Sequence, residues 1–388
     1  MSTPIAERAV TDCRKVGKAL LKFLSTNDVP RPQSHQFGPY LPNQAWQFFT
    51  PHAPTKGVNL KSWPEILWPD GRTTKSCITW YGKAKTEYRL TRFGRDFPFL
   101  TTDQIGSLLV LIPESHERFI AYVFDREDEI EELFVGLGVE VVEDWGCIFD
   151  VEYPAPIESA ENCLARQFRE YANNLIAFPG TTDISLAAAN AVKHCNATFR
   201  SLSVDEQLMT LVQAEYQLFQ LVERVFCENE VQRLFKSVDD FLGTALSILN
   251  RRKVRAGRAL ENHFEYLMTV AGLNVEVRPK IDGQPDVIVP SREAYDDPAF
   301  PSEKLAAIGL KTTCKDRWRQ ILNEAQRANR RFLVTLQQGI STKQLDEMEA
   351  ANVTIVVPKP LHRFYAKDDR SRLTTIKSLF DFLRKQQH

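Results

Sequence analysis

PDVIVPSREAY, from Pro285 to Tyr295, and LAAIGLKTTCKDRWRQILNEAQRANR, from Leu305 to Arg330, decide the reading of this chain. Each begins with a short apolar run rich in β-branched or small residues, which reads as a buried strand. The second then turns polar, and DRWRQILNEAQRANR places Trp318, Ile321, Leu322 and Ala325 on one face of an expected helix. FLVTL, STKQLDEMEAAN and VTIVVP continue as strand, helix and strand. Such alternation implies an α/β domain with a mixed or parallel sheet flanked by helices.

Upstream lie long amphipathic segments. Ser203 and Glu206 form a capping-box pattern ahead of Leu208, Leu211, Leu218 and Leu221. Ser237 with Asp240 repeats the start signal, and Arg251 to Ala271 reads as a helix stopped by Gly272. The first 155 residues have another texture, with many Gly and Pro residues and short alternating runs such as CITWYG and GSLLVLI. They read as a mostly β domain with an opening helix, Glu7 to Leu24, and an acidic helix in DREDEIEEL. YPAPIESAEN, from Tyr153, has the composition of a linker. The expected organisation is one domain at 1–165, a linker region at 166–185 and a second domain at 186–388.

The net charge of −1 over 388 residues argues on its face against a nucleic-acid partner, but the charge is unevenly spread. Residues 114 to 158 carry −12, so the rest carries +11. Positive clusters lie at Arg72 to Asp96, at RRKVRAGR (Arg251 to Arg258) and at Lys311 to Arg331. Such a chain can hold phosphate locally while looking neutral overall. No apolar run is long enough to span a membrane, and no secretory signal is read, so a cytoplasmic, bacterial-type location is expected. Seven cysteines without a CxxC pair are expected to be reduced thiols rather than a zinc ribbon or a disulfide framework. His194 beside Cys195, and His116 between two acids, lack further ligands at metal spacing.

Asp286 at the head of one strand and Lys311 near the end of the next are the residues with chemistry to offer. Phosphodiester hydrolysis needs a carboxylate to hold a hard divalent cation and a group that orients water and stabilises charge on phosphate. The usual PD-(D/E)XK pattern puts a second acid two residues before the lysine, where this chain has Gly309. Glu324, on the following helix, could supply it, with Glu261 for a second shell or a second metal. Lys315, Asp316 and Arg317 follow at once: arginine can read guanine O6 and N7, and a carboxylate can accept from cytosine N4. Arg251 and Arg252 are candidates for phosphate contact.

NRRKVRAGRALENHFEYL, PDVIVPSREAY and GLKTTCKDRWRQILNEA resemble the EcoRII family of type II restriction endonucleases. The likeness continues through FLVTLQQGIS and VVPKPLHRFY, and more weakly into SHQFGPYLP and YGKAKTEYRLTRFGR. It implies a two-domain protein: an N-terminal DNA-binding pseudobarrel and a C-terminal PD-(D/E)XK nuclease fold. By resemblance, Asp286 and Glu324 would bind Mg²⁺, Lys311 would be the catalytic lysine, and Glu261 and Tyr295 would belong to the active site. Lys315, Asp316 and Arg317 would read C·G pairs. His35, Tyr40, Lys83, Lys85, Glu87 and Arg89 would touch an additional DNA site, with Tyr88 replacing a lysine of the family pattern. The resemblance further implies a homodimer acting on double-stranded DNA at CCWGG, autoinhibition relieved through the N-terminal domain, and a companion DNA methyltransferase in the same system with no direct contact. The alternatives are a repair nuclease of the same fold and a two-domain DNA-binding regulator without hydrolysis.

Overall fold

The structure, a computed structural model, describes residues 4–30, 38–83, 85–94, 96–140, 146–151, 163–315 and 317–387. The linker sequence from Tyr153 to Asn162 lies outside the described residues. The chain divides into two compact units, one of residues 1–155 with 337–345 and 363–370, the other of 156–336, 346–362 and 371–388.

In the first unit, helix α1 (Ile5–Val16) ends at Gly17, which takes the left-handed conformation (φ 80°) and donates its N–H to the Cys13 carbonyl. The chain then turns into strand β1 (Lys18–Phe23), so the expected helix over Glu7 to Leu24 is corrected to helix plus strand. Leu20 and Leu21 alternate between two cores, a strand's behaviour that their spacing alone disguises.

The remaining elements are β2 (Tyr40–Leu41), helix α2 (Trp46–Phe49), β3 (Asn59–Ser62), β4 (Glu65–Leu67), β5 (Thr73–Lys75), β6 (Cys77–Tyr81) and β7 (Tyr88–Thr91). After them come β8 (Leu108–Ser115), β9 (Arg118–Phe124), helix α3 (Glu127–Leu137) and β10 (Cys147–Asp150). They form a six-stranded sheet, β10-β1-β8-β9-β4-β5, and a four-stranded sheet, β2-β7-β6-β3. The sheets share an aromatic core containing Trp68, Trp80, Tyr88, Phe49 and Phe119. The opposite face of the larger sheet is covered by α1 and α3 through Ala6, Ala9, Ile130 and Leu133.

The second unit opens with four helices: α4 (Cys163–Asn173), α5 (Thr181–Cys195), α6 (Val204–Gln232) and α7 (Val238–Val270). The stretch 166–185, expected to be linker, is helical at 166–173 and 181–185 with a turn at 174–180 between, and Ala165, Phe168 and Ala172 bury one side of α4. A disulfide joins Cys163 to Cys195, correcting the expectation of seven reduced thiols. The start of α4 meets the end of α5 in an antiparallel hairpin, a proximity that residues 32 apart do not advertise in sequence. The capping box at Ser203 and Glu206 is present, and Ser237 accepts the Asp240 N–H.

A five-stranded sheet follows, ordered β11 (Glu276–Val277), β12 (Val287–Val289), β13 (Ala306–Lys311), β14 (Arg330–Thr335) and β15 (Val353–Val356). The first three strands are antiparallel neighbours, and the last three are parallel, so the sheet is mixed. Short helix α8 (Arg292–Asp296) follows β12, α9 (Thr342–Ala350) links β14 to β15, and α10 (Ile376–Gln387) closes the chain. The buried Asp205 carboxylate accepts the Lys359, Ile376 and Lys377 N–H groups and so fixes the start of α10.

Between β13 and β14 the expected long helix is replaced by a 3₁₀ run, Arg317–Asn323. Ala325 takes a positive φ of 43°, which ends any helix there.

Candidate active site

β12 and β13 pair antiparallel with Val287 opposite Ile308, so Asp286 comes to lie beside the end of β13. Its Oδ2 accepts the Leu310 N–H at 2.6 Å and the Lys311 ammonium at 2.9 Å. Both side chains are partly open to solvent, at 16% for Asp286 and 23% for Lys311.

Gly309 stands where the usual pattern has its second acid. A Cβ there would sit 3.1 Å from Cδ1 of Ile321, so the space belongs to the 3₁₀ run packed over the strand. Glu324 follows the run directly, and its N–H donates to the carbonyl of Ile321, the residue that covers Gly309. Glu324 is 8% exposed, and its buried Oε2 has no hydrogen-bond partner among the described residues. Burial, aided by the charge of Asp286 and opposed by Lys311, pushes its carboxyl up to about 7.

The backbone around Glu324 is held by the turn that precedes Asp286. The Asp282 carbonyl accepts the Ala325 N–H at 3.0 Å, and Asp282 Oδ2 accepts the Gln326 N–H at 2.9 Å. Tyr295 donates its hydroxyl to Asp282 Oδ1, and that hydroxyl accepts the Arg327 N–H. Burial pushes the Asp282 carboxyl up, but the bonds from Tyr295 and Gln326 hold it below the ordinary carboxylate range. Asp282 is missed by strand and metal-ligand spacing, although an Asp-Gly turn just before Pro285-Asp286 is a visible signal.

The other expected residues divide. Glu261 is gripped by Arg258 at 2.5 Å and Arg278 at 3.2 Å, while the Arg278 N–H donates to the Asp286 carbonyl, so Glu261 reaches the site through an arginine. Arg251 pairs with Glu230 and lies over the Phe178 ring; Arg252 makes a two-pronged contact with Glu223 at 2.7 Å. These bonds tie α7 to α6, a role different from the phosphate contact read from the sequence. Lys315 and Arg317 flank the start of the 3₁₀ run, and Asp316 lies outside the described residues.

In the first unit, Tyr40 is opposite Arg89 on paired strands, and Arg89 lies 3.8 Å from Glu87. Burial, then Glu87, pushes the Tyr40 phenol up. Lys83 and Lys85 sit in the turn between β6 and β7. His35 lies outside the described residues. Tyr88, where the family pattern has lysine, is 1% exposed and packs on Phe49 and Trp80.

Among the described residues no group of three or more His, Cys, Asp or Glu side chains is gathered for a metal. Asp286 and Glu324 are instead a pair of hard oxygen donors, and the unpartnered Glu324 oxygen fits a divalent cation completed by water.

A mixed sheet that presents a carboxylate and a lysine at adjoining strand ends, with a second acid delivered from the next turn, has the parts of a restriction endonuclease. Residues 219–380 match the family "EcoRII C terminal", and residues 15–142 match "Restriction endonuclease EcoRII, N-terminal". The chain is 33% identical over 384 residues to the type II restriction enzyme EcoRII of Escherichia coli, covering 92% of this chain and 91% of that one. It is 28% identical over 142 residues to the type II restriction enzyme SsoII of Shigella sonnei, covering 34% of this chain and 46% of that one. A solved structure described as a restriction endonuclease PspGI–substrate DNA complex aligns with a TM-score of 0.45 at 16% identity, covering 54% of this chain and 94% of that one. The chain belongs to the EcoRII family and is a type II restriction endonuclease, an enzyme that cleaves DNA.

Because the folded carboxyl of Glu324 titrates above its ordinary 4.5, the folded protein binds this proton more tightly than the unfolded chain. In metal-free protein its ionisation therefore lowers stability progressively between about pH 4.5 and 7, by about 1–3 kcal/mol once complete. Urea unfolding in EDTA should show Glu324→Gln more stable than the parent at pH 8 and little different at pH 5. Equal differences at both pH values would show that this carboxyl is not perturbed.

Proposed function

We propose that this endonuclease cuts double-stranded DNA at a CCWGG-like site, before the first C, with Mg²⁺ held by Asp286 and Glu324. The observation that carries the reading is the Asp286–Lys311 pair at 2.9 Å beside the buried, unpartnered carboxylate of Glu324. Mg²⁺, when bound, supplies a Lewis acid and a water of lowered pKa. Lys311 orients the attacking water and stabilises charge on the scissile phosphate. Lys315, Asp316 and Arg317, immediately after the strand that bears Lys311, read C·G pairs from the major groove.

Tyr40, Lys83, Lys85, Glu87 and Arg89 contribute to a second DNA-binding surface in the N-terminal unit, which restrains the nuclease until a further site is bound, and His35, outside the described residues, is a further contact by family resemblance. The enzyme works as a homodimer, in a system whose methyltransferase protects the same sequence. The end of α6, the start of α7 and the turn between them expose Val231, Leu234, Val238, Leu242 and Leu246 at 47–95%, an apolar surface suited to a second copy.

Incubation of a plasmid carrying mapped CCWGG sites with protein and Mg²⁺ should give ends beginning at the first C. Asp286→Ala and Lys311→Ala should slow cutting at least a thousandfold while leaving DNA binding in EDTA intact. Ends mapping to unrelated sequences would sink the site assignment. Removal of residues 1–155 should accelerate cleavage of single-site DNA; an unchanged or slower rate would contradict restraint by the N-terminal unit. Sedimentation of Leu242→Glu/Leu246→Glu should show monomers where the parent is dimeric, and dimers of unaltered affinity would exclude this surface.

A further inference from the structure

We infer that Asp282, oriented by Tyr295, is a positioning residue that holds Glu324 in place to share a cation with Asp286. The inference rests on the reading of Asp286 and Glu324 as the metal-binding pair. Asp282 lies four residues before Asp286, in the turn that leads into β12. Its main-chain and side-chain oxygens accept the N–H groups of the two residues that follow Glu324. One turn therefore fixes both carboxylates: Asp286 by chain connection, and Glu324 by hydrogen bonds.

The contact between the two segments is close. Gly283 has a φ of +69°, and a Cβ built on it would lie 2.5 Å from Cα of Glu324. No larger residue fits without moving the acid. Ala325, held by the Asp282 carbonyl, is fully buried in a positive-φ conformation that a non-glycine residue adopts only when its surroundings impose it. The backbone that presents Glu324 is thus constrained by the opposing turn as well as by its own 3₁₀ run.

Tyr295 supplies the next layer. It is 8% exposed on α8, and its hydroxyl links Asp282 to the Arg327 N–H. The Arg327 guanidinium in turn donates to the carbonyls of Ala294, Tyr295 and Phe300, locking the loop after Glu324 to α8 and the segment beyond it. Tyr295 acts here through Asp282, which accounts for a tyrosine near the site without requiring it to touch DNA or metal.

Residues that orient metal ligands typically change affinity or activity by roughly 10–100-fold when removed. The test is the Mg²⁺ dependence of single-turnover cleavage by the full-length parent, Asp282→Ala, Tyr295→Phe and the double variant. DNA binding in EDTA and thermal unfolding are measured alongside. Asp282→Ala should raise the Mg²⁺ concentration for half-maximal rate by roughly tenfold or more, with DNA binding in EDTA unchanged. Tyr295→Phe should shift it in the same direction by less, and the double variant should fall short of the sum of the two single shifts, because the tyrosine acts chiefly through Asp282 and only secondarily through the Arg327 N–H. Unaltered Mg²⁺ dependence in Asp282→Ala, or additive shifts in the double variant, would overturn the proposal. Should Asp282→Ala not fold, Tyr295→Phe decides alone, since it removes one oxygen: a parental Mg²⁺ dependence rejects the proposal. Glu324→Ala separates the two levels. If it still cuts with Mg²⁺, the metal-pair reading fails; if it is inactive while Asp282→Ala behaves as the parent, only the positioning role fails.

Discussion

A carboxylate kept out of water, without a counter-charge sufficient to ionise it freely, is the constraint on which this active site depends. Glu324 lies close enough to Lys311 to feel its charge, yet burial and Asp286 together outweigh that ammonium and lift the carboxyl to about 7. A buried ionised group of this kind is costly unless paired. The proposed divalent cation between the two carboxylates would remove the conflict and would account for an acid held in the apolar neighbourhood of Ile321 and Ala325. The 3₁₀ run before it and the turn at Asp282, whose oxygens accept the Ala325 and Gln326 N–H groups, hold the backbone on either side of that acid.

Packing leaves little room for an acid at position 309. With no side chain at Gly309, the strand leaves a gap on one face, and Ile321 fills it. A carboxylate at 309 would have required that space and displaced the isoleucine. Glu324 comes just after that run, with its N–H bonded to the carbonyl of the isoleucine that fills the gap. Chemistry and core packing are thus solved by one segment of the chain, residues 317 to 325.

The sheet was legible in the sequence because PDVIVP, LAAIGLK, FLVTL and VTIVVP are apolar runs of strand length with polar stretches between them. Asp286 and Lys311 were legible as residues at the ends of two such strands. What was not legible depended on small differences or distant partners. Trp318, Ile321, Leu322 and Ala325 suit an α-helix by spacing, but the backbone turns at Ala325 to meet Asp282, and only that tertiary contact shows why the run stops. Leu20 and Leu21 fit helical spacing equally well until Gly17 is seen to end α1 before them. The Cys163–Cys195 pairing arises from helix packing, which no cysteine spacing encodes.

Charge runs show the same dependence on partners. RRKVRAGR looks like a phosphate clamp when read along the chain, but folding brings Glu223 and Glu230 from the facing helix against Arg252 and Arg251, and Glu261 against Arg258. Three of its five bases are thus matched in place, by acids up to 29 residues away. Lys311 is matched by Asp286 across a comparable separation, yet there the pairing leaves a second acid unsatisfied nearby. That unsatisfied acid separates the Asp286–Lys311 cluster from the α6–α7 pairs, and the proposed cation site rests on it.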